Sequence, residues 1–275
     1  MKKAAAFIKK YPAFTVFLIL AVCVIAVAVF APFIATHDPY EAVLSDAVQP
    51  PSAEHWFGTD RMGRDLFSRV IYGARASLAS ALSLVCIIVA AGTFLGIIAG
   101  YFGGILDAVI MRVSDMMISF PGMVLAIAVA GILGANVTNA VIAISIVSWT
   151  KYARLARSLV LKIRNRDYIA AARVTGSKNS HILWGYMLPN ALPTILITGA
   201  TDIGSMILEI AGLSFLGFGA QPPIPEWGLM LNEGRAYITA APWLMVFPGL
   251  AIFITVVIFN LLGDSLRDVL DPRDE

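Results

Sequence analysis

Charge is what this chain has least of. Only 14% of its 275 residues are Asp, Glu, Lys or Arg, whereas 59% are hydrophobic. Soluble domains are about a quarter charged, so a water-soluble fold of this length could not hide so much apolar surface, and lipid is the remaining solvent. No basic tract with interleaved aromatics occurs and the net charge is only +2, which excludes a nucleic-acid partner. Cysteine is nearly absent. Cys23 and Cys86 stand singly in apolar runs, where small buried hydrophobes are expected rather than a disulfide or a metal site. His37, His55 and His181 lack ligand spacing and read as ordinary polar residues, so no metal ligand is assigned.

Catalytic signatures are missing as well. There is no G-x-x-x-x-G-K-[ST] phosphate loop and no G-x-S-x-G nucleophile turn, and no histidine has a credible serine or cysteine partner. The chain therefore reads as having no catalytic residues, and any nucleotide chemistry must belong to another polypeptide.

What is present is apolar length. A helix needs about 20 apolar residues to cross the hydrocarbon core, and six segments qualify: 13–35, 77–100, 105–133, 137–157, 190–215 and 241–263. The expected fold is an all-α integral membrane protein of about six transmembrane helices. A unit over 1–76, one span plus an external segment, precedes a five-helix core over 77–275. The opening MKKAAAFIKK resembles a signal-peptide n-region, but the apolar run after it is too long for a cleaved h-region, so an uncleaved anchor is expected. With the amino terminus inside, fifteen Lys and Arg fall on the inner side and five on the outer. Because inner loops carry the cation excess, both termini are expected in the cytoplasm.

That orientation puts DYIAAARVTGSKNSHILWGYMLPNALP, residues 167–193, on the cytoplasmic side. Asp167 is placed to cap a short helix over Tyr168–Thr175, and Gly176 supplies a C′ residue for which positive φ is cheap. A second short helix, roughly 178–187, is expected to end at Leu188-Pro189. Ala170, Ala171 and Ala172 strip bulk from the first helix, so another backbone can approach closely. Arg164, Arg166, Arg173 and Lys178 surround the knuckle with positive charge.

This insert resembles the cytoplasmic coupling loop, the EAA loop, of binding-protein-dependent ABC importers: Ala171-Ala172, Gly176 and Leu188-Pro189 match the pattern. Ala170 departs from it where the family often has glutamate, as does Tyr186 where many members have histidine. HWFGTDRMGRDLFSRVIYGARASL (55–78), LSFLGFGAQPPIPEWGLML (213–231) and FNLLGDSLRDVLDPR (259–273) are similar to signatures of the peptide/nickel branch of these permeases, C-type subunit. The resemblance implies a multi-pass protein of a bacterial or archaeal cytoplasmic membrane. It also implies a second permease subunit as heterodimer partner, two ATPase subunits that hold ATP and magnesium, and an extracytoplasmic substrate-binding protein. Asp167, Tyr168, Ala170, Ala171, Ala172, Arg173, Gly176, Ser177, Leu188 and Pro189 would then make the ATPase contact.

Acids inside apolar segments mark the candidate path, since ionisable groups in a membrane face a cavity or a partner. Asp202, Ser205, Met206 and Glu209 share one face of a helix by spacing. Arg112 and Asp115 are expected to pair with each other at i,i+3. Outside, Asp65 starts an amphipathic helix through Leu66, Phe67, Val70, Ile71 and Ala74, expected to lie on the membrane surface and brace the second span. The proline-stiffened 222–227 forms a cap on the external mouth. Within the branch, TDIGSMILEIAGLSFLG (201–217) and MRVSDMMISFPGMVLAIAVAGILG (111–134) look more like nickel-type permeases, so nickel, free or chelated, is the expected cargo, with di- or oligopeptide import as the alternative. A secondary transporter or channel is the reading from outside this class; internal repeats would favour it, and the halves of the chain show none.

Overall fold

Residues 7–270 are described by a computed structural model. Lys2 and Lys3 of the charge count, and Asp271-Pro272-Arg273 of the last motif, lie outside the described residues. Among those described there is no strand, only helices: α1 Pro12–Val29, α2 Leu66–Phe102, α3 Gly104–Ile118, α4 Gly122–Leu133, α5 Val137–Arg164, α6 Asp167–Val174, α7 Leu188–Phe215, α8 Trp227–Gly234 and α9 Trp243–Leu270. Between α6 and α7, Asn179–His181 opens a turn that passes into a π-helix over Ile182–Met187.

Several boundaries differ from the sequence expectation. The amphipathic helix at Asp65 and the span at 77–100 are one 37-residue helix, because nothing between Leu66 and Phe102 stops it. It therefore rises from the segment before Asp65 into the bundle as one continuous rod. Asp65 caps it as expected, its side chain accepting from Ser68 N. The span expected at 105–133 is two helices, α3 and α4, that bend by 93° at Ser119-Phe120-Pro121; Pro121 lacks the N–H that would carry the helix on. Four helices, α1, α2, α9 and the unit running from Asn179 through α7, are long and apolar enough to cross a membrane, and the bent pair makes up to five. α5 is 28 residues long but too charged to qualify, with Lys151, Arg154, Arg157, Lys162 and Arg164 along its second half. Cys23 and Cys86 are exposed on outward faces, not buried.

One contact organises the bundle. Gly92, Gly96 and Gly100 of α2 form a ridge without side chains, and α5 lies directly on it. A Cβ built on Gly92 would stand 2.4 Å from Trp149 O; on Gly96, 2.3 Å from Ala153 O; on Gly100, 3.0 Å from Arg157 O. Small residues spaced by four are what lets two backbones close in lipid, where no hydrophobic effect draws helices together. The matched order along both helices makes α2 and α5 parallel. The bent pair α3–α4 must therefore carry the chain back from the end of α2 to about the level of Ser80, where α5 begins. Gly204 of α7 against Val256 and Asn260 of α9, and Gly263 of α9 against Thr201, make α7 and α9 antiparallel by the same test. His37, just past the end of α1, touches Ser68 at the start of α2. Both ends of the described chain consequently lie at the same end of the bundle as α6.

A Gly96→Val substitution should separate α2 from α5 and lower the stability of the purified chain by about 3 kcal/mol, an overpacking cost. Gly249→Ala, whose new methyl meets nothing nearer than 4.0 Å, should change it by less than about 0.5 kcal/mol. Thermal unfolding in one lipid or detergent checks both.

Candidate functional site: a mid-span recess and a basic knuckle

The four residues placed on one face of α7 do come together. Asp202, Ser205, Met206 and Glu209 line a recess of about 460 Å³ with Lys151, Tyr152 and Ile88, closed at one edge by Phe120 and Gly122 from the α3–α4 bend. Their individual roles differ. Asp202 is buried and already partnered: Lys151 Nζ lies 2.7 Å from both carboxylate oxygens and the Tyr152 hydroxyl donates to Oδ2 at 2.7 Å. Met206 is buried, whereas Ser205 is exposed. Glu209, two turns further along, is half-buried and has no hydrogen-bond or ion-pair partner among the described residues. The recess thus offers a neutralised Lys–Asp pair, a free carboxylate and a thioether.

Lys151 and Tyr152 are functional neighbours that sequence reasoning missed. A lysine within an apolar segment facing an aspartate in another such segment was the available signal. Arg112 and Asp115 are not each other's partners. Asp115 instead pairs with Arg154 of α5, whose Nε also donates to Ser114 Oγ at 3.0 Å. Arg157 of α5 grips Asp107 with two bonds, Nη2–Oδ2 being 2.6 Å. These two arginines bind α3 to α5. Arg157 grips its carboxylate in two-pronged fashion, which adds geometric specificity as well as energy, while Arg154 divides its guanidinium between Asp115 and Ser114.

The knuckle has a clear internal structure. Asp167 is the first residue of α6, and Arg166, not Asp167, occupies the N-cap, without a side-chain bond. As an acid in the first turn, Asp167 still complements the helix dipole. At the other end Gly176 has φ +82°. Ser177 N donates to Ala172 O at 2.9 Å and Gly176 N to Arg173 O at 3.1 Å, the paired bonds of a Schellman cap. Nothing lies within 4 Å of where a Gly176 Cβ would stand, so the backbone angle, not space, requires glycine. Ile169 and Ala172 face the bundle and are buried, while Asp167, Tyr168, Ala170, Ala171, Arg173 and Val174 are exposed. Leu188-Pro189 does not end a helix: the π-helix runs straight into α7, with Pro189 at the changeover between them.

The knuckle is fastened to the bundle at one place. Arg164 Nη1 donates to Gly100 O and Tyr101 O at 3.2 and 3.3 Å, Tyr101 OH reaches Asn179 Oδ1 at 2.6 Å, and Arg173 lies 5.5 Å from the Tyr101 ring centroid. All of these grip the last turn of α2, at the end of the glycine ridge.

At the opposite end, 222–227 packs inward as a cap on α2. Trp227 Nε1 donates to Val70 O at 2.9 Å, and Glu226 accepts from Gly228 N and Leu229 N. Burial pushes the Glu226 carboxyl above its usual range, against the pull of those two amides. Arg64 and Arg69, both buried, meet Asp60 and Glu233 there, tying the external segment to α8.

The family model for "Binding-protein-dependent transport system inner membrane component" matches residues 92–274. The chain is 46% identical over 266 residues, 97% of this chain and 88% of the relative, to a dipeptide transport system permease protein of Alkalihalophilus pseudofirmus. It is 45% identical to a probable D,D-dipeptide transport system permease protein of Escherichia coli strain K12, over 93% of this chain and 86% of the relative. A glutathione transport system permease protein of Pectobacterium atrosepticum is also 45% identical, over 90% and 83%.

A double-mutant cycle on Lys151→Met and Asp202→Asn should give a coupling energy of roughly 1–3 kcal/mol in thermal unfolding, the range for residues in direct contact. Additive effects of the two substitutions would show that the pair does not hold α5 to α7.

Proposed function

Because this chain belongs to the family of binding-protein-dependent transport system inner membrane components, we propose that it is one permease half of an ATP-driven importer and that its cargo is a short peptide. The observation that carries the proposal is the recess. Its free carboxylate, Glu209, sits beside an ion pair and a hydroxyl in a space of about 460 Å³. A zwitterionic peptide needs an anion for its ammonium group and polar groups for its amides, and this face supplies both, the peptide's ammonium pairing with the carboxylate. The relatives' names give dipeptide, D,D-dipeptide and glutathione, which supports peptide over the nickel cargo expected from 201–217. The recess lies between α7 and α5 beside the α3–α4 bend, and in this reading a second permease subunit completes the path. An extracytoplasmic binding protein delivers the cargo to the end capped by 222–227.

In this proposal α6 is the coupling helix and faces the cytoplasm. Its small, exposed Ala170 and Ala171 admit an ATPase subunit, and Tyr168, Arg173 and Val174 supply contact area and charge. ATP and magnesium are held on the ATPases. Movement of α6 passes through Tyr101 and Arg164 to α2, across the glycine ridge to α5, and through Lys151–Asp202 to α7 and the recess. The π-helix between α6 and α7 is the natural place for give, since such segments concentrate at functional sites.

Uptake of labelled dipeptide and of radioactive nickel in a deletion strain carrying the complete transporter tests the cargo: dipeptide should accumulate and nickel should not. Glu209→Gln should lower dipeptide uptake at limiting substrate by roughly 10-fold or more, the loss of one charge-assisted hydrogen bond. Wild-type uptake by Glu209→Gln would remove that residue from the path. Gly176→Val should leave the chain inserted but abolish uptake, and unchanged uptake would remove α6 from coupling.

A further inference from the structure

The start of α2 carries a cluster that transport does not use. We propose that His37, His55 and Asp65 bind one zinc ion, through His37 Nδ1, His55 Nδ1 and Asp65 Oδ1. His55 Nδ1 lies 2.9 Å from Asp65 Oδ1 and His37 Nδ1 lies 3.8 Å from the same oxygen. The two imidazole rings are 4.9 Å apart between centroids, and one ligand atom from each of the three residues falls within 4.8 Å of the others. In a tetrahedral zinc site with bonds of about 2.0–2.2 Å, neighbouring ligand atoms stand roughly 3.3–3.5 Å apart. The two aspartate contacts bracket that spacing and need shift by only about 0.5 Å each to meet it.

The carboxylate is divided between two tasks. Oδ2 accepts from Ser68 N at 2.8 Å and caps α2, so the group is held in place whether or not an ion is bound. Oδ1 is left facing both rings. Backbone hydrogen bonds hold the two histidine segments in place: His55 N donates to Ser52 Oγ at 3.0 Å. His37 N donates to Ser68 Oγ at 3.0 Å, and Thr36 Oγ1 lies 3.0 Å from His37 Nδ1. When His37 turns that nitrogen to a metal, the Thr36 hydroxyl has Ser68 Oγ at 3.4 Å and Asp65 Oδ2 at 3.5 Å as other partners. Access is provided too: His55 and Asp65 are buried, but His37 is exposed and lines a cavity of about 500 Å³ with Asp38, Tyr40 and Tyr72. His37 thus gives an ion a route in from solvent.

Ligand chemistry selects the ion. Calcium and magnesium take oxygen donors, whereas two imidazoles and a carboxylate suit zinc. A hydrogen bond between His55 and Asp65 alone would explain two members of the cluster but not the convergence of His37 from a separate segment. The ion would staple three pieces of chain: the stretch after α1, the loop before α2 and the cap of α2 itself.

The test uses the untagged full-length protein in lipid nanodiscs, stripped with chelator and titrated with zinc chloride by calorimetry. One zinc per chain should bind, and the exposed His37→Ala variant should bind at least about 100-fold more weakly, since even partners beyond the direct ligands are worth roughly 10–100-fold. Absence of saturable binding, or a His37→Ala titration matching wild type, would overturn the site, the latter placing zinc elsewhere on the chain. As a measurement that needs no variant, cobalt(II) loaded into the wild-type protein should give the visible bands of tetrahedral coordination, lost on adding one equivalent of zinc. A cobalt spectrum without them would also overturn the proposal.

Discussion

The close approach of α2 to α5 over Gly92, Gly96 and Gly100 is the constraint on which the rest depends. With side chains on that ridge the two helices would stand apart by several ångströms. Lys151 could then no longer reach Asp202, because its position on α5 is set by the register of Trp149, Tyr152 and Ala153 against the ridge. Lipid offers helices no hydrophobic reason to associate, so the contact relies on backbone proximity and dispersion. Both fall off steeply with distance. The same seam carries the arginines that hold α3 through Asp107 and Asp115, and it ends where Arg164 and Tyr101 fasten the knuckle.

That arrangement explains how a charged helix survives in an apolar bundle. Every arginine or lysine of α5 that faces its neighbours meets a carboxylate or a carbonyl: Lys151 meets Asp202, Arg154 meets Asp115, Arg157 meets Asp107, and Arg164 meets the end of α2. Charges in a membrane are tolerated when they pair or face water. Glu209 is the exception on the recess face, and an unpartnered carboxylate there is more economically explained by a ligand than by packing. The most highly charged of the long helices thus holds the moving parts in register, while the apolar α1 lies at the edge with little buried surface.

Much of this was legible in the sequence because its signals are local. Apolar run length located four of the six expected spans and the bent pair as a possible fifth, Asp65 announced the start of α2, Gly176 the positive-φ cap of α6, and the shared face of Asp202, Ser205, Met206 and Glu209 the recess. Misjudgements arose where the deciding interaction is remote or where a breaker is ambiguous. Pro121 bends its helix by 93°, yet Pro193 and Pro248 lie inside α7 and α9 without ending them, so a proline alone does not say whether a helix stops. Asp115 chose Arg154 over the nearer Arg112, and Asp202 chose Lys151, through contacts that no spacing rule along one helix can show. Nothing in residues 66–102 separates a surface helix from a span, so one helix was divided in two. The convergence of His37 on His55 and Asp65 was invisible for the same reason: sequence spacing carried no ligand pattern, and only the fold brings the segments together.

The central claim is mechanical: a short helix outside the bundle is seized by a separate ATPase and moves a recess it never touches. Replacing exposed Cys23 and Cys86 with alanine and introducing Ala170→Cys, then oxidatively cross-linking membranes that contain the complete transporter with paired cysteines in its ATPase, tests it most directly. A cross-link from residue 170 to the ATPase, with a yield that changes between nucleotide-free and ATP-bound states in uptake-competent membranes, is the predicted result. Uptake-competent membranes in which residue 170 never cross-links to the ATPase in either state would contradict it.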